Sequence, residues 1–198
     1  MFTGLVHGAA KVIGLSVRSD GGARLTLDHP LIASAKPGDS IAVNGCCLTV
    51  VEPQGAQGSF DLLAETLRLT NLGGLTAGSV VNVEPSLKAS DRLGGHFVTG
   101  HIDACGTVVR FEKVGADWRL DVRAPLPFMR HVVSKGCVSI DGMSLTVAEV
   151  TSDVFTIWII PHTLEVTNLS GRRAGDRVNL ESDLLAKYAE KLLGKSAI

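Results

Sequence analysis

The chain has 198 residues, 45% of them hydrophobic, and a formal net charge of −1. That length holds one large domain or two of about 100 residues. No basic block marks a phosphate-driven nucleic-acid surface, no apolar run reaches the ~20 residues of a membrane span, and Met1-Phe2-Thr3-Gly4 lacks the basic region and apolar core of a signal peptide. The expectation is a cytoplasmic chain with no nucleic-acid or membrane partner. Cys46, Cys47, Cys105 and Cys137 show no C-x-x-C spacing, so they read as free thiols rather than a metal site.

In chain order, Phe2 to Val17 reads as a strand, and Arg24 to Asp28 alternates with period two as a half-buried one. His29-Pro30 breaks the pattern before a short helical turn over Leu31 to Ala35. Ser40 to Val43 and Leu48 to Val51 flank Asn44-Gly45, a strong hairpin signal. Pro53 to Gly58 reads as a loop, Ser59 to Leu63 as a strand, Glu65 to Leu72 as one or two helical turns, and Val80 to Val83 as a closing strand.

Pro85 to Gly95 is a polar, Gly-ended linker, after which the pattern repeats. His96 to Val109, Trp118 to Ala124, Phe155 to Ile160 and Arg177 to Leu180 read as strands, with a helical turn in Pro125 to Val133 and a turn at Lys135-Gly136. Asp183 caps an amphipathic helix over Leu184 to Leu193. That helix either packs on its own module or joins protomers.

The repetition is explicit in sequence. Asn44-Gly45-Cys46-Cys47-Leu48-Thr49-Val50 returns as Asp141-Gly142-Met143-Ser144-Leu145-Thr146-Val147, an offset of 97 residues. Holding that offset over 45–84 gives 16 identities in 40 positions without a gap. About six short strands per copy, with Gly-rich turns between them, favour a closed barrel, because closure removes exposed edges. The expected fold is all-β: two similar six-stranded Greek-key β-barrels from an internal duplication, at 1–87 and 88–184, followed by a C-terminal α-helix in 185–198.

Strand alternation puts Cys46 and Leu48 on one face, Cys47 and Thr49 on the other; Met143 and Leu145, Ser144 and Thr146 follow suit. The Cys46/Met143 face reads as core. The Cys47/Ser144 face keeps a small polar residue twice, which suits either ligand contact or the taper of a barrel. The copies differ in chemistry. Gly94-Gly95-His96-Phe97-Val98-Thr99-Gly100-His101 places His101 where the first copy has Leu5, and Asp141 replaces Asn44. His101 is a candidate for proton transfer near neutral pH, and a Ser144, His101, Asp141 triad is weighed against the missing G-x-S-x-G elbow. Nothing resembles a nucleotide phosphate loop.

Met1 to Val6, Asn44 to Val50, Gly94 to His101 and Asp141 to Val147 together resemble riboflavin synthase of the alpha-chain type, over essentially the whole chain. The resemblance implies a trimer assembled by the C-terminal helix. It implies a transferase, without external cofactor, that dismutates two molecules of 6,7-dimethyl-8-ribityllumazine. A four-carbon unit passes from one to the other, giving riboflavin and 5-amino-6-(ribitylamino)uracil. It also leaves open an association with lumazine synthase.

Carried over by position, one pocket uses Gly4, Leu5, Val6, Cys47, Leu48, Thr49, Asp61, Leu62, Leu63, Ala64, Glu65 and Thr66. The other uses Gly100, His101, Ile102, Lys135, Ser144, Leu145, Thr146, Trp158, Ile159, Ile160, Pro161, His162 and Thr163. His101, Ser144, Thr146, Cys47 and Asp141 are the candidates for chemistry. His101 would move a proton at the 7-methyl group, and Ser144 and Thr146 would bond substrate or water. Cys47 would meet C7 as nucleophile or polar contact, and Asp61 or Thr66 the ribityl chain. The alternatives are a lumazine-carrying fluorescent protein of the same fold, which binds without turnover, and a double barrel that mediates protein contacts only.

Overall fold

The computed structural model describes residues 1–194 and folds as two closed six-stranded antiparallel barrels. The first contains β1 (Gly8–Val17), β2 (Ala23–Asp28), β3 (Ser40–Val43), β4 (Cys46–Gln54), β5 (Gln57–Leu62) and β6 (Val80–Pro85), in the order β1-β2-β5-β4-β3-β6. The second contains β7 (Ala104–Val114), β8 (Asp117–Arg123), β9 (Cys137–Ile140), β10 (Met143–Val150), β11 (Val154–Ile159) and β12 (Arg177–Ser182). Read around its circle, it has the same order, β7-β8-β11-β10-β9-β12. The expected fold class holds.

Alternation builds each core. In β2, Ala23, Leu25 and Leu27 point in while Arg24, Thr26 and Asp28 stay half-exposed. Leu25 and Leu27 meet Ile41, Val50, Phe60 and Val83 inside the first barrel, as Leu120, Val122, Ile140, Phe155 and Ile157 meet in the second. Cys46 and Met143 are buried in their respective cores, as the face assignment requires. Register slips between Val12 and Gly14 and between Val50 and Glu52 recur between Val108 and Arg110 and between Val147 and Glu149. Such bulges sharpen the local twist that lets short strands close on themselves.

Two expectations are corrected. The first strand of each barrel begins at Gly8 and Ala104, not at Phe2 and His96, because the residues before them leave the barrel wall as arms. Pro53 to Gly58 is no loop. Pro53 pairs with Gly58 and Gln54 with Gln57, leaving only Gly55 (φ +59°) and Ala56 in a tight turn. Proline is tolerated there at the far end of β4, past the bulge.

The barrels join back to back at their duplicated hairpin turns. A Cβ on Gly45 would lie 2.7 Å from the Gly142 nitrogen, and one on Gly142 2.8 Å from the Gly45 nitrogen, so both must be glycine. Around this contact the asparagines exchange bonds across a pseudo-two-fold axis. Asn82 Nδ2 donates to the Asp141 carbonyl (2.9 Å) and Asn179 Nδ2 to the Asn44 carbonyl (2.9 Å). The Asn71 N–H donates to Asn179 Oδ1 (2.6 Å) and the Asn168 N–H to Asn82 Oδ1 (2.7 Å). The repeated Thr-Asn-Leu and Val-Asn pairs are thus the seam between the halves.

After each β5-type strand a short helix, α1 (Ala64–Leu69) or, following the small α2 (Leu126–Met129), α3 (Pro161–Val166), leads into a 3-10 turn at Asn71–Gly74 or Asn168–Gly171. The C-terminal helix α4 (Leu184–Leu192) starts at Asp183, whose carboxylate accepts the Leu185 N–H at 2.9 Å. Residues 195–198 of the expected helical segment lie outside those described.

Candidate functional site

Two arms organise the site. Thr3 donates its N–H and its hydroxyl to Glu84 Oε1, both at 2.7 Å, and the Gly4 N–H donates to Glu84 Oε2 at 3.0 Å. Thr99 and Gly100 repeat this on Glu181 at 2.7, 2.6 and 3.0 Å. A carboxylate at the end of β6 or β12 thus grips a Thr-Gly pair whose glycine has φ +77° or +84°. Burial pushes the Glu84 carboxyl up, and the bonds from Thr3 and Gly4 oppose it.

Each arm then crosses to the other barrel. The Gly4 carbonyl accepts the Ser144 N–H (2.8 Å), and the Gly100 carbonyl accepts the Cys47 N–H (2.9 Å). Val6 packs on the second core and Ile102 on the first. The arms also pair with each other, Phe2 N–H to the Val98 carbonyl at 2.7 Å. Phe2, Val98 and Ala42 form a small buried cluster against Cys47. The sequence-based grouping is therefore corrected: Gly4, Leu5 and Val6 belong with Ser144, and Gly100, His101 and Ile102 belong with Cys47. The reason is the long reach of Glu84 and Glu181, which is invisible in local pattern.

On the first barrel, Thr49 is exposed on β4, Leu48 is turned into the core, and Asp61, Leu62, Leu63, Ala64, Glu65 and Thr66 run from the end of β5 into α1. Leu62 is core, whereas Leu63 is 72% exposed. Asp61 lies between two arginines, taking Arg24 Nε at 2.9 Å and Arg18 at 3.2 Å, and Arg24 holds its carboxyl below the usual range.

The matching stretch of the second barrel is Trp158, Ile159, Ile160, Pro161, His162 and Thr163. Ile159 is core, Leu145 is half-buried against it, and Trp158 and Ile160 are 41% and 56% exposed. Tryptophan in place of Asp61, and His162 in place of Glu65, exchange acidic groups for flat and apolar ones. Lys135 sits at φ +66°, where the first copy has Gly38 at +94°. A lysine held in the left-handed region costs about 1 kcal/mol or more, the kind of strain that collects at functional sites.

The triad does not form. Ser144 Oγ is bonded to His96 Nδ1 at 2.7 Å, not to His101. His96 is 7% exposed, its Nε2 has no partner, and burial lowers its pKa, so the ring is neutral at neutral pH. Asp141 is fully enclosed at the seam. It accepts the Asn179 N–H and Asn71 Nδ2, both at 2.8 Å, and pairs with Arg172. Burial pushes its carboxyl up while Arg172 and the Asn179 N–H pull it down. Its candidacy as a catalytic group is withdrawn: it holds the barrels together. Arg172 stands where the first copy has Leu75, so Asn44/Leu75 became Asp141/Arg172 as a charge-balanced pair.

His96, Glu84 and Glu181 were missed as site residues. Glu84/Glu181 is one of the repeat identities, and a charged residue kept in both copies at the end of an apolar strand was the available signal. His96 carried none beyond its place in the Gly-Gly-His segment.

A profile described as "Lumazine binding domain" matches residues 3–86 and 99–183. The riboflavin synthase of Mycobacterium tuberculosis is 45% identical, with 98% of each chain covered. That of Escherichia coli is 42% identical over 92% of this chain and 87% of its own, and that of Bacillus subtilis 36% over 99% and 91%. Among solved structures, LumP complexed with riboflavin superposes with a TM-score of 0.84 at 29% identity, over 92% of this chain and 99% of that one. LumP complexed with 6,7-dimethyl-8-(1'-D-ribityl) lumazine gives 0.83 at 27%, with the same coverage.

Proposed function

The chain belongs to the riboflavin synthase family, and we propose that it is a transferase which dismutates two molecules of 6,7-dimethyl-8-ribityllumazine into riboflavin and 5-amino-6-(ribitylamino)uracil. The observation that carries this reading is that both barrels keep a complete arm-and-strand site, with the same Thr-Gly clamp and unlike chemistry around it. A reaction between two identical molecules needs two pockets. Holding both reactants removes translational and rotational freedom from a bimolecular step, worth up to ~7–11 kcal/mol when they are well aligned.

The first pocket comprises Cys47, Thr49 and Asp61 to Thr66 under the Gly100 to Ile102 arm. The second comprises Ser144, Thr146, Lys135 and Trp158 to Thr163 under Gly4 to Val6. In the second, neutral His96 accepts the Ser144 proton, so that Ser144 can bond or activate a water adding to lumazine. Cys47 makes no such side-chain bond among the described residues and is a polar contact or nucleophile at C7 of the other lumazine. His101, on the arm over the first pocket, moves the 7-methyl proton. Trp158 offers a flat face for the ring system, and Asp61, oriented by Arg24, an acceptor for ribityl hydroxyls.

Homotrimer assembly is part of the proposal. Lys187 pairs with Asp103 (2.7 Å), and Glu190 with His131 (2.7 Å) and Arg130 (3.3 Å), so α4 docks on its own barrel by its polar edge. Its apolar stripe, Leu185, Tyr188, Leu192 and Leu193, is left exposed. Exposed Leu63, Trp158 and Ile160 leave the pockets open in one chain, which suits closure by a neighbour. No described helix is long and apolar enough to cross a membrane, and the cytoplasmic placement rests on the sequence reading.

The likeness to LumP supports the second reading, a lumazine carrier. Incubation of the purified chain with 6,7-dimethyl-8-ribityllumazine separates the two. Riboflavin appearing as lumazine disappears is expected; lumazine that binds and stays unchanged selects the carrier.

A further inference from the structure

We infer that Glu84, near the end of β6 in the first barrel, is the positioning residue for the Ser144–His96 pair, an assignment that rests on reading that pair as reactive groups of the second pocket. Glu84 bonds neither side chain of the pair among the described residues. It acts through the first arm.

The link is one peptide unit. The Gly4 N–H donates to Glu84 Oε2 at 3.0 Å. On the opposite edge of the same plane, the Thr3 carbonyl accepts the His96 N–H at 3.1 Å. A trans peptide is rigid, so its two edges move together. The next carbonyl, that of Gly4, accepts the Ser144 N–H at 2.8 Å. Both partners of the 2.7 Å Ser144–His96 bond therefore have their backbones tied to the segment that Glu84 grips.

The fit leaves no slack. A Cβ on Gly95, beside His96, would lie 2.1 Å from the Thr3 carbonyl oxygen and 3.1 Å from Ser144 Oγ. Glu84 is 4% exposed, and its Oε1 already takes the Thr3 N–H and hydroxyl, so both oxygens are committed. The second arm lacks the link. Glu181 grips the Thr99–Gly100 peptide in the same way, but the Thr99 carbonyl accepts no backbone N–H among the described residues. Of the two clamps, only the one at Glu84 reaches across to a histidine.

Glu84→Gln keeps the shape of the side chain but turns one acceptor into an NH2 group facing the arm's own N–H donors. The arm should shift, and His96 should lose its enclosure. Burial lowers the His96 pKa, while the Asp183 and Glu181 carboxylates oppose it. Loss of the Glu84 charge alone would not raise it, so a rise reports lost burial.

NMR titration of the His96 ring in the free chain, its signal identified by its loss in His96→Gln, tests this. In Glu84→Gln the midpoint should move up, toward that of a free imidazole near ~6.5. With lumazine, kcat should fall about ten- to a hundredfold and KM should change less. Val12→Ala is the control for a merely structural effect. Val12 is buried in the same barrel, beyond the stretch of β1 that pairs with β6, so it should lower stability and leave the His96 titration alone. A His96 midpoint unmoved in Glu84→Gln, or moved equally in Val12→Ala, overturns the inference. Thr3→Val, which removes only the hydroxyl bond to Glu84, should give a smaller shift of the same sign, and an unmoved midpoint there decides the matter if Glu84→Gln does not fold. The titration needs no substrate, so it still tests the positioning role if the chain proves to be a carrier.

Discussion

Gly4→Ala should release the N-terminal arm from the second barrel. A Cβ at Gly4 would lie 2.6 Å from Ser144 Cβ and 2.7 Å from the Ser144 nitrogen. The second atom is backbone, so no rotamer change relieves the overlap. Three costs add. An L-residue at φ +77° is unfavourable by about 1–2 kcal/mol. Moving away breaks the bond from the Ser144 N–H to the Gly4 carbonyl, about 0.5–1.5 kcal/mol. Shifting the backbone also strains the bond from the Gly4 N–H to Glu84, a charged acceptor worth about 1.5–3 kcal/mol. The sum, about 3–6.5 kcal/mol, falls on arm docking rather than on the barrel cores. Amide hydrogen exchange should show lost protection at Phe2 and Ser144, and turnover of lumazine should fall at least about tenfold. Gly14→Ala is the control: that glycine lies outside the left-handed region with nothing within 4 Å of an added Cβ, so little should change. Gly4→Ala behaving like Gly14→Ala in both assays refutes the crossed-arm reasoning.

Burial lowers the His96 pKa below that of a free imidazole, near 6.5. An unfolded chain takes up this proton as pH falls through ~6.5 while the folded one resists it. The stability contribution is therefore intact above that pH and is lost as pH falls through the folded value. Turnover should share that acid limb, and His96→Gln should flatten it; an unchanged pH–rate profile removes His96 from the chemistry. Cys47→Ser keeps a polar group on the same strand, so full activity would rule out covalent attack by the thiol, whereas loss of activity with binding retained supports it. His101→Ala should abolish most turnover without altering the melting temperature, and intact turnover would exclude it as the proton-transfer group. Tyr188→Glu with Leu192→Glu places charge on the exposed stripe of α4 and should convert a trimer to monomers in gel filtration with light scattering. An unmoved elution position would exclude that stripe as the interface.

The barrels were readable because their signals are local. Alternation in β2 and the Asn-Gly turn each span a few residues, and the 97-residue offset makes the second copy check the first. The Gly-Pro composition of Pro53 to Gly58 misled, since only Gly55 needs a left-handed backbone and the flanking residues still pair. What could not be read was contact between distant parts. Thr3 meets Glu84 across 81 residues, and nothing near either announces it. Asp141 shows the same limit. A carboxylate replacing an amide looks like chemistry in sequence, and only its enclosure with Arg172 reveals a charge-balanced seam. Ser144 stands out in sequence by its place opposite Cys47, but its hydrogen-bond partner is decided by how the second arm folds over it, which gives His96 rather than His101.

The central claim is that this chain joins carbons from two lumazine molecules held in two unlike pockets. Its most direct test is turnover of an equal mixture of unlabelled lumazine and lumazine carrying carbon-13 in both methyl groups and their ring carbons, read by mass spectrometry of the riboflavin formed. A half-labelled riboflavin, built from one labelled and one unlabelled parent, is predicted as the most abundant product. Riboflavin that is only unlabelled or fully labelled, or lumazine recovered unchanged, contradicts it.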